Sequence, residues 1–515
     1  MTPARRLRPH RLAAAGLAVL LTLSACAKLP SASGPAGSRP IAPVGAHRWT
    51  VPAAPPPGTG KRRNIVLILT DDLSTNLVPY MPHVQAMMDA GMSFTNYTVT
   101  NSLCCPSRSS IFTGEFPHNT GVQTNLAPNG GYYAFQAYHD ETHTFAVTLQ
   151  KAGYRTGFYG KYLNGYSPVQ EPANPPGWTD WGGVDGGGYA EHNFNISLNG
   201  KIVHYGYGPR NYTTTVLDRL GRRFIDHAAA AGSPFALEIS TFAPHHPAVP
   251  ARQDRFSFPD AIAPRTQSYD VHPTDAPHWL AKLPPLSETK IARGDNIFRR
   301  RVRCVQAVDR LIGHIEDELR ATHQLSNTVL IFSSDNGFHI GEHGLFAGKL
   351  TPYETDVNVP LVVDGPGIAP GSVDAHAVEN IDLAPTFDEL GESPIPADVD
   401  GHSFVPLLYG EQVSWRTLAD VEHAYTGGNP HDPDFQPFPS GRLPPYRALR
   451  SPTFTYVEYA GGDREYYDRV NDPEEMHNIY SSLSPARVAE LHAELVALST
   501  CAGYAQCWSA GLPTG

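Results

Sequence analysis

Residues 64–70, Asn-Ile-Val-Leu-Ile-Leu-Thr, are an almost unbroken apolar, β-branched run, the pattern of a strand covered on both faces. The run stops at Asp71-Asp72. Residues 328–334, Thr-Val-Leu-Ile-Phe-Ser-Ser, repeat the pattern and stop at Asp335-Asn336-Gly337. A third core strand is predicted over Phe235–Ser240, running directly into Pro244-His245-His246-Pro247. Between the second and third runs Val302, Val305, Val308, Leu311, Ile312, Ile315 and Leu319 recur at helical spacing, with Arg and Glu on the opposite face. Strand, helix, strand order predicts a parallel sheet with covering helices. Sites in such sheets form at the carboxyl ends of the strands, where this chain places two pairs of oxygen ligands.

After about residue 400 the pattern changes. Tyr446–Arg450 and Phe454–Tyr459 are short alternating segments joined by a turn, and a last helix is predicted from Ser484 as N-cap, with Pro485 in its first position and Val488, Leu491, Leu495 and Leu498 as its apolar stripe. The expected organisation is a catalytic α/β domain over residues 61–400 and a smaller α+β subdomain over 401–515. Residues 165–215 and 255–295 show no pattern that predicts their fold, and such loops are where specificity is expected. No internal repeat is found.

The first 26 residues are expected not to belong to the fold. Arg5, Arg6, Arg8 and Arg11 precede an apolar stretch, Leu12–Leu23, that is short for a bilayer span, and Leu23-Ser24-Ala25-Cys26 resembles a bacterial lipobox. The expectation is a lipoprotein signal peptide over 1–26, a lipid anchor on Cys26, and an exported protein facing outward from the membrane. Residues 27–60, rich in Pro, Ala, Gly and Ser, are a linker with no means of building a core.

The 515 residues carry a formal charge of −11, which argues against a nucleic-acid partner but leaves room for a locally positive site. Of six cysteines, Cys304 falls in the helical pattern as a small buried residue, and Cys501 and Cys507 are candidates to pair. Cys104 and Cys105 are adjacent, and zinc spacing is absent.

The segment Leu103-Cys104-Cys105-Pro106-Ser107-Arg108, continuing to Thr113-Gly114, resembles the sulfatase signature, Cys-x-Pro-x-Arg followed by Thr-Gly. The register fits Cys104 and excludes Cys105. The resemblance extends from Asn64 to about Asn478: it takes in Asp71-Asp72, the Pro82–Phe94 stretch, Gly160-Lys161, His245-His246-Pro247, Asp335-Asn336-Gly337, Gly348-Lys349 and Asp472-Pro473-Glu474. It is closest to the N-acetylglucosamine-6-sulfatase and arylsulfatase subgroup. Where many members carry a histidine two residues after the first Gly-Lys lysine, this chain has Leu163, followed by Asn164.

The resemblance implies an alkaline-phosphatase-like fold, with a mostly parallel central sheet flanked by helices. It implies hydrolysis of aryl or carbohydrate sulfate monoesters by formylglycine formed from Cys104, whose gem-diol attacks sulfur and gives a covalent sulfo-enzyme. A formylglycine-generating enzyme is then a required partner. Arg108 would anchor the nucleophile and metal ligands, Lys161 and Lys349 would bind sulfate oxygens, and His245, with His246 as rival, would handle the proton. The metal ligands would be Asp71, Asp72, Asp335, Asn336 and residue 104. An all-oxygen set without imidazole favours Ca²⁺, with Mg²⁺ second. His339, Glu342 and His343, just past the metal pair, are candidates for the substrate mouth. Two alternatives remain: a formylglycine-dependent phosphonate monoester hydrolase or phosphodiesterase, and an unmodified binding homologue.

Overall fold

The computed structural model describes residues 62–424 and 443–512. The expected signal peptide over 1–26 and linker over 27–60 lie outside them. A ten-stranded sheet organises the chain. Its strands are β1 (Asn64–Thr70), β2 (Met92–Phe94), β3 (Arg155–Lys161), β4 (Asp180–Val184), β5 (Phe194–Leu198), β6 (Lys201–Tyr205), β7 (Phe235–Ser240), β8 (Thr328–Ser334), β9 (Leu361–Asp364) and β10 (Ser372–Asp374). Their spatial order is β10-β2-β9-β8-β1-β7-β3-β4-β5-β6.

The central strands β8, β1, β7, β3 and β4 are parallel. β9 joins β8 and β2 antiparallel, and β5 and β6 extend the other side antiparallel. The sheet is therefore mixed. Residues 165–215, unreadable from pattern, supply part of the antiparallel flank: β5 and β6 are joined by a two-residue Asn199-Gly200 turn, a connection only antiparallel neighbours permit.

Both faces are covered. Ile65, Leu67 and Leu69 of β1 enter one apolar cluster and Val66 and Ile68 the other, which explains the continuous apolar run. On one face lies α1 (Cys104–Thr113), all of whose residues are buried. The other face is covered by α2 (Thr213–Ala231) and the 34-residue α3 (Glu288–Ala321), which starts where Ser287 accepts from the Lys290 N–H at 3.3 Å. The predicted stripe from Val302 to Leu319 is the buried face of α3.

The C-terminal domain is built on an antiparallel sheet, β11 (Ala419–His423), β12 (Tyr446–Arg450), β13 (Phe454–Tyr459) and β14 (Arg464–Asp468), in sequential order. Helix α4 (Pro485–Leu498) is capped by Ser484, as predicted, and packs Leu491, Leu495 and Leu498 against Leu449 and Tyr456. Cys501 and Cys507 are disulfide-bonded, and Cys304 is buried.

Strand β3 approaches β7 closely near Lys161. Gly160 has φ 129°, and a Cβ there would lie 1.8 Å from the Ser240 carbonyl oxygen. Gly165 also has positive φ, 87°, but open space around it. Gly160→Ala should therefore lower the thermal unfolding midpoint well beyond Gly165→Ala, with a loss of about 2 kcal/mol or more. Equal midpoints for the two variants in a melting experiment would contradict this packing.

Candidate active site

Backbone register brings the site together. Thr70 is paired with Ser334, Leu69 with Ser240, and Gly160 with Ser240. The carboxyl ends of β8, β1, β7 and β3 are thus in line, and the residues at or just beyond them are Asp335-Asn336, Asp71-Asp72, His245 and Lys161. Asp72 has φ 65°, an unusual left-handed conformation for a residue other than glycine.

Helix α1 delivers Cys104 as its first residue. The Cys104 thiol donates to Asp71 Oδ1 at 3.3 Å, and Lys349 Nζ donates to Cys104 Sγ at 2.9 Å. One ligand atom from each of Asp71, Asp72, Cys104 and His245 lies within 4.8 Å of the others. Cys105 points elsewhere: its sulfur accepts from the Asn164 N–H at 3.0 Å, and it packs in the large apolar cluster. The 100° step between consecutive helical residues gives the two thiols different surroundings.

Each charge is answered by another. Arg108, one turn after Cys104, donates through Nε to Asp335 Oδ2 at 2.7 Å and through Nη1 to the Lys161 carbonyl and Ser240 Oγ, both at 2.9 Å. Lys161 Nζ is 2.6 Å from Asp71 Oδ2, and Lys349 Nζ 2.6 Å from Asp72 Oδ1. All of these side chains are buried. Burial raises the Asp71 carboxyl above its ordinary range, against the opposing Lys161 charge. Burial would also raise Asp335, but Arg108, Lys161 and Lys349 outweigh it and hold that carboxyl low. Burial would lower Lys161, yet Asp71 keeps it well above the usual lysine range.

His245 Nδ1 donates to the His246 carbonyl at 2.6 Å, which turns Nε2 toward the site, 3.6 Å from Asp72 Oδ2. The His246 ring is turned largely to solvent, and partial desolvation on its protein side, followed by the charges of His245, Arg300 and Arg293, pushes its pKa down.

The donor set suits a hard divalent cation. Asn336 Nδ2 donates to Asp72 Oδ1 at 2.7 Å and to the Gly337 carbonyl at 2.9 Å. Its Oδ1 is buried and has no hydrogen-bond partner among the described residues, leaving an amide oxygen free to ligate beside Asp71, Asp72 and Asp335. Among the candidates for the mouth, His339 is buried against Asp356 at 3.0 Å, and His343 Nε2 donates to the Glu474 carbonyl at 3.0 Å. Burial drives the His343 pKa down to about 4. Glu342 accepts from the Ile340 N–H at 2.6 Å. These three side chains are buried and brace the loop after Gly337.

Pattern reading missed several neighbours. Tyr189 lies 5.1 Å from Lys161 Nζ and 4.6 Å from the His245 ring, on a glycine-rich turn that carries no signal. Arg301 donates to the Asp72 carbonyl. It interrupts the buried stripe of α3 between Phe298 and Val302, and a charged residue on an apolar face was a readable sign. Tyr446, on β12, donates to the Leu350 carbonyl at 2.9 Å and so holds the residue next to Lys349.

The chain is similar to known proteins over most of its length. Residues 63–392 match the sulfatase family, and residues 341–500 match the C-terminal region of N-sulphoglucosamine sulphohydrolase. N-acetylglucosamine-6-sulfatase of Capra hircus is 32% identical over 474 residues, covering 86% of this chain and 84% of the goat protein. The extracellular sulfatase SULF-1 homolog of Drosophila melanogaster is 36% identical over 356 residues, 68% of this chain and 31% of the fly protein. A solved structure in complex with its substrate D-glucosamine-2-N,6-O-disulfate superposes with a TM-score of 0.70 at 22% identity, over 85% of this chain and 97% of that one, a likeness of fold. The chain belongs to the sulfatase family and is a sulfuric ester hydrolase.

Proposed function

We propose that this enzyme hydrolyses carbohydrate or aryl sulfate monoesters with a formylglycine made from Cys104 and a calcium ion held by Asp71, Asp72, Asp335, Asn336 and residue 104. The observation that carries the reading is the position of Cys104: first residue of a buried helix, within bonding distance of both Asp71 and Lys349. When present, formylglycine supplies a hydrated aldehyde oxygen as nucleophile, and calcium supplies charge that lowers the pKa of that oxygen.

The chain's own residues do the rest. The Cys104 sulfur marks where the nucleophilic oxygen would sit. Arg108 fixes Asp335 by a charge-assisted bond and spans to the ends of β3 and β7. Lys161 and Lys349 are positioned to neutralise sulfate oxygens, with Lys349 nearest the reacting atom, where negative charge grows on the bridging oxygen. With Nδ1 donating to a carbonyl, the neutral His245 ring carries its lone pair on Nε2, facing the site, and can take or give a proton there. Carbohydrate esters are favoured as substrates because the goat relative is an N-acetylglucosamine-6-sulfatase. We also propose export, with a lipid anchor on Cys26 and residues 27–60 as tether, and dependence on a formylglycine-generating enzyme.

Conversion of cysteine to formylglycine replaces the thiol by a carbonyl. Peptide mass spectrometry of active enzyme should find that change on residue 104, with Cys105 still alkylatable and Cys105→Ala still active. The same change found on residue 105 would end the assignment. Asp335→Ala should weaken calcium binding in a titration and, by leaving the Arg108 charge unpaired, destabilise the fold by roughly 3–5 kcal/mol. Unaltered calcium affinity would remove Asp335 from the ligand set. Lys349→Ala should lower kcat by about 10² or more, because its charge matters most in the transition state. A loss confined to KM would make Lys349 a ground-state contact only.

A further inference from the structure

We propose that Glu238, near the end of β7, is a positioning residue for the hydrolysis. Through the Ser240 hydroxyl it fixes the Arg108 guanidinium, and through Arg108 it fixes Asp335 and the helix that carries residue 104. The inference rests on the reading of Cys104, Arg108 and Asp335 as the reacting centre and adds the residue that stands behind them.

The relay follows from which groups donate and which accept. A serine hydroxyl has one proton, and an arginine nitrogen only donates. Arg108 Nη1 donates to Ser240 Oγ at 2.9 Å, so the Ser240 proton points elsewhere, and Ser240 Oγ donates to Glu238 Oε1 at 3.0 Å. A carboxylate only accepts, which keeps the hydroxyl from turning round. The Ser240 lone pair is thereby held on a guanidinium whose Nε is committed to Asp335 at 2.7 Å and whose Nη1 also reaches the Lys161 carbonyl. Arg108 lies one turn after Cys104 on α1. A swing of its side chain would therefore disturb Asp335 directly and residue 104 along the helix. Burial pushes the Glu238 carboxyl up to about 7, and the Arg108 charge, followed by the Ser240 hydroxyl, pulls it the other way.

Glu238 stands where packing alone would place an apolar side chain. β7 lies between β1 and β3, and Glu238 is paired with Leu67 on one side and Phe158 on the other. Leu67, Phe158 and Ala236 belong to the apolar cluster that contains Ile111 and Phe112 of α1, whereas Leu237 and Ile239 enter the opposite cluster. Side chains alternate along a strand, so the Glu238 carboxyl is on the α1 face, and it is only 1% exposed. Its Oε2 has no hydrogen-bond partner among the described residues, and neither has Arg108 Nη2. A buried carboxyl with an oxygen left unused destabilises the fold, and a leucine in its place would not. A local rule broken beside a reacting centre is where function is expected.

The test uses the full chain in calcium, with an aryl sulfate as substrate and thermal melting as the measure of folding. Glu238→Leu should lower kcat by about tenfold or more at nearly unchanged KM, with an unfolding midpoint no lower than the parent's. Ser240→Ala should lower kcat by a similar factor. The two combined should lose no more than the worse single variant, because the relay is broken only once. Glu238→Gln, whose amide oxygen still accepts from Ser240, should keep a higher kcat than Glu238→Leu. Parental kcat in a folded Glu238→Leu or in Ser240→Ala, or losses that multiply in the double variant, would overturn the proposal. So would a Gln variant no better than the Leu variant. If Glu238→Leu does not fold, Ser240→Ala and Glu238→Gln decide by kcat alone: both at the parental value overturns the proposal. Peptide mass spectrometry gives the state of residue 104 in every sample, so turnover is compared at equal modification. In the parent it also tests the reading of the nucleophile separately.

Discussion

Arg108 and Asp335 are completely buried and bonded to each other at 2.7 Å, and the active site is assembled around that pair. Two charges removed from water are tolerated only where their geometry is fixed and their remaining hydrogen-bonding capacity is used. Asp335 meets this by accepting from the Asp72 and Asn336 N–H groups through its other oxygen. Arg108 meets it in part: Nη1 reaches the Lys161 carbonyl and Ser240, while the buried Nη2 has no hydrogen-bond partner among the described residues. One ion pair therefore ties the ends of β8, β1, β7 and β3 to helix α1, and the position of Cys104 follows from it.

The C-terminal domain takes part in the same arrangement. Lys349 follows the two-residue strand Ala347–Gly348, which pairs with His339–Ile340 apart from the main sheet, and it needs support from outside that sheet. Tyr446 of β12 holds the Leu350 carbonyl, Tyr353 donates to Glu465 of β14 at 2.8 Å, and Arg450 pairs with Glu354 and Glu475. Lys349 thus approaches Asp72 and Cys104 from a segment braced by the C-terminal sheet. A loop so restrained presents its ammonium with little reorganisation, which is how a charge contributes most to a transition state.

Electrostatically the molecule is acidic as a whole, but cations and carboxylates are evenly matched around residue 104. Around residue 104, Arg108, Lys161 and Lys349 contact Asp71, Asp72 and Asp335, with Arg301 behind Asp72. In the proposed reaction a divalent cation adds to this balance and leaves the site positive, which suits a sulfate ester. The overall charge of −11 therefore does not oppose binding of an anion.

The continuous apolar runs of β1 and β8, each closed by two oxygen-bearing residues, identified buried parallel strands and the ends where the candidate site gathers. The register of Cys-x-Pro-x-Arg chose Cys104 over Cys105, and the stripe of α3 and the Ser484-Pro485 start of α4 were equally legible. These signals are local: burial on both faces, helical period and capping each act over a few residues. Other features arise only from contacts between distant segments. The antiparallel flanks of the sheet, the engagement of His339, Glu342 and His343 in bracing a loop, and the orientation of His245 over His246 depend on partners absent from the local sequence. So do Tyr189 beside Lys161 and Tyr446 behind Lys349. A side chain's neighbours in sequence determine the element it occupies, whereas its charge state, partners and access to substrate are determined by segments tens to hundreds of residues away, and only the folded chain brings those together.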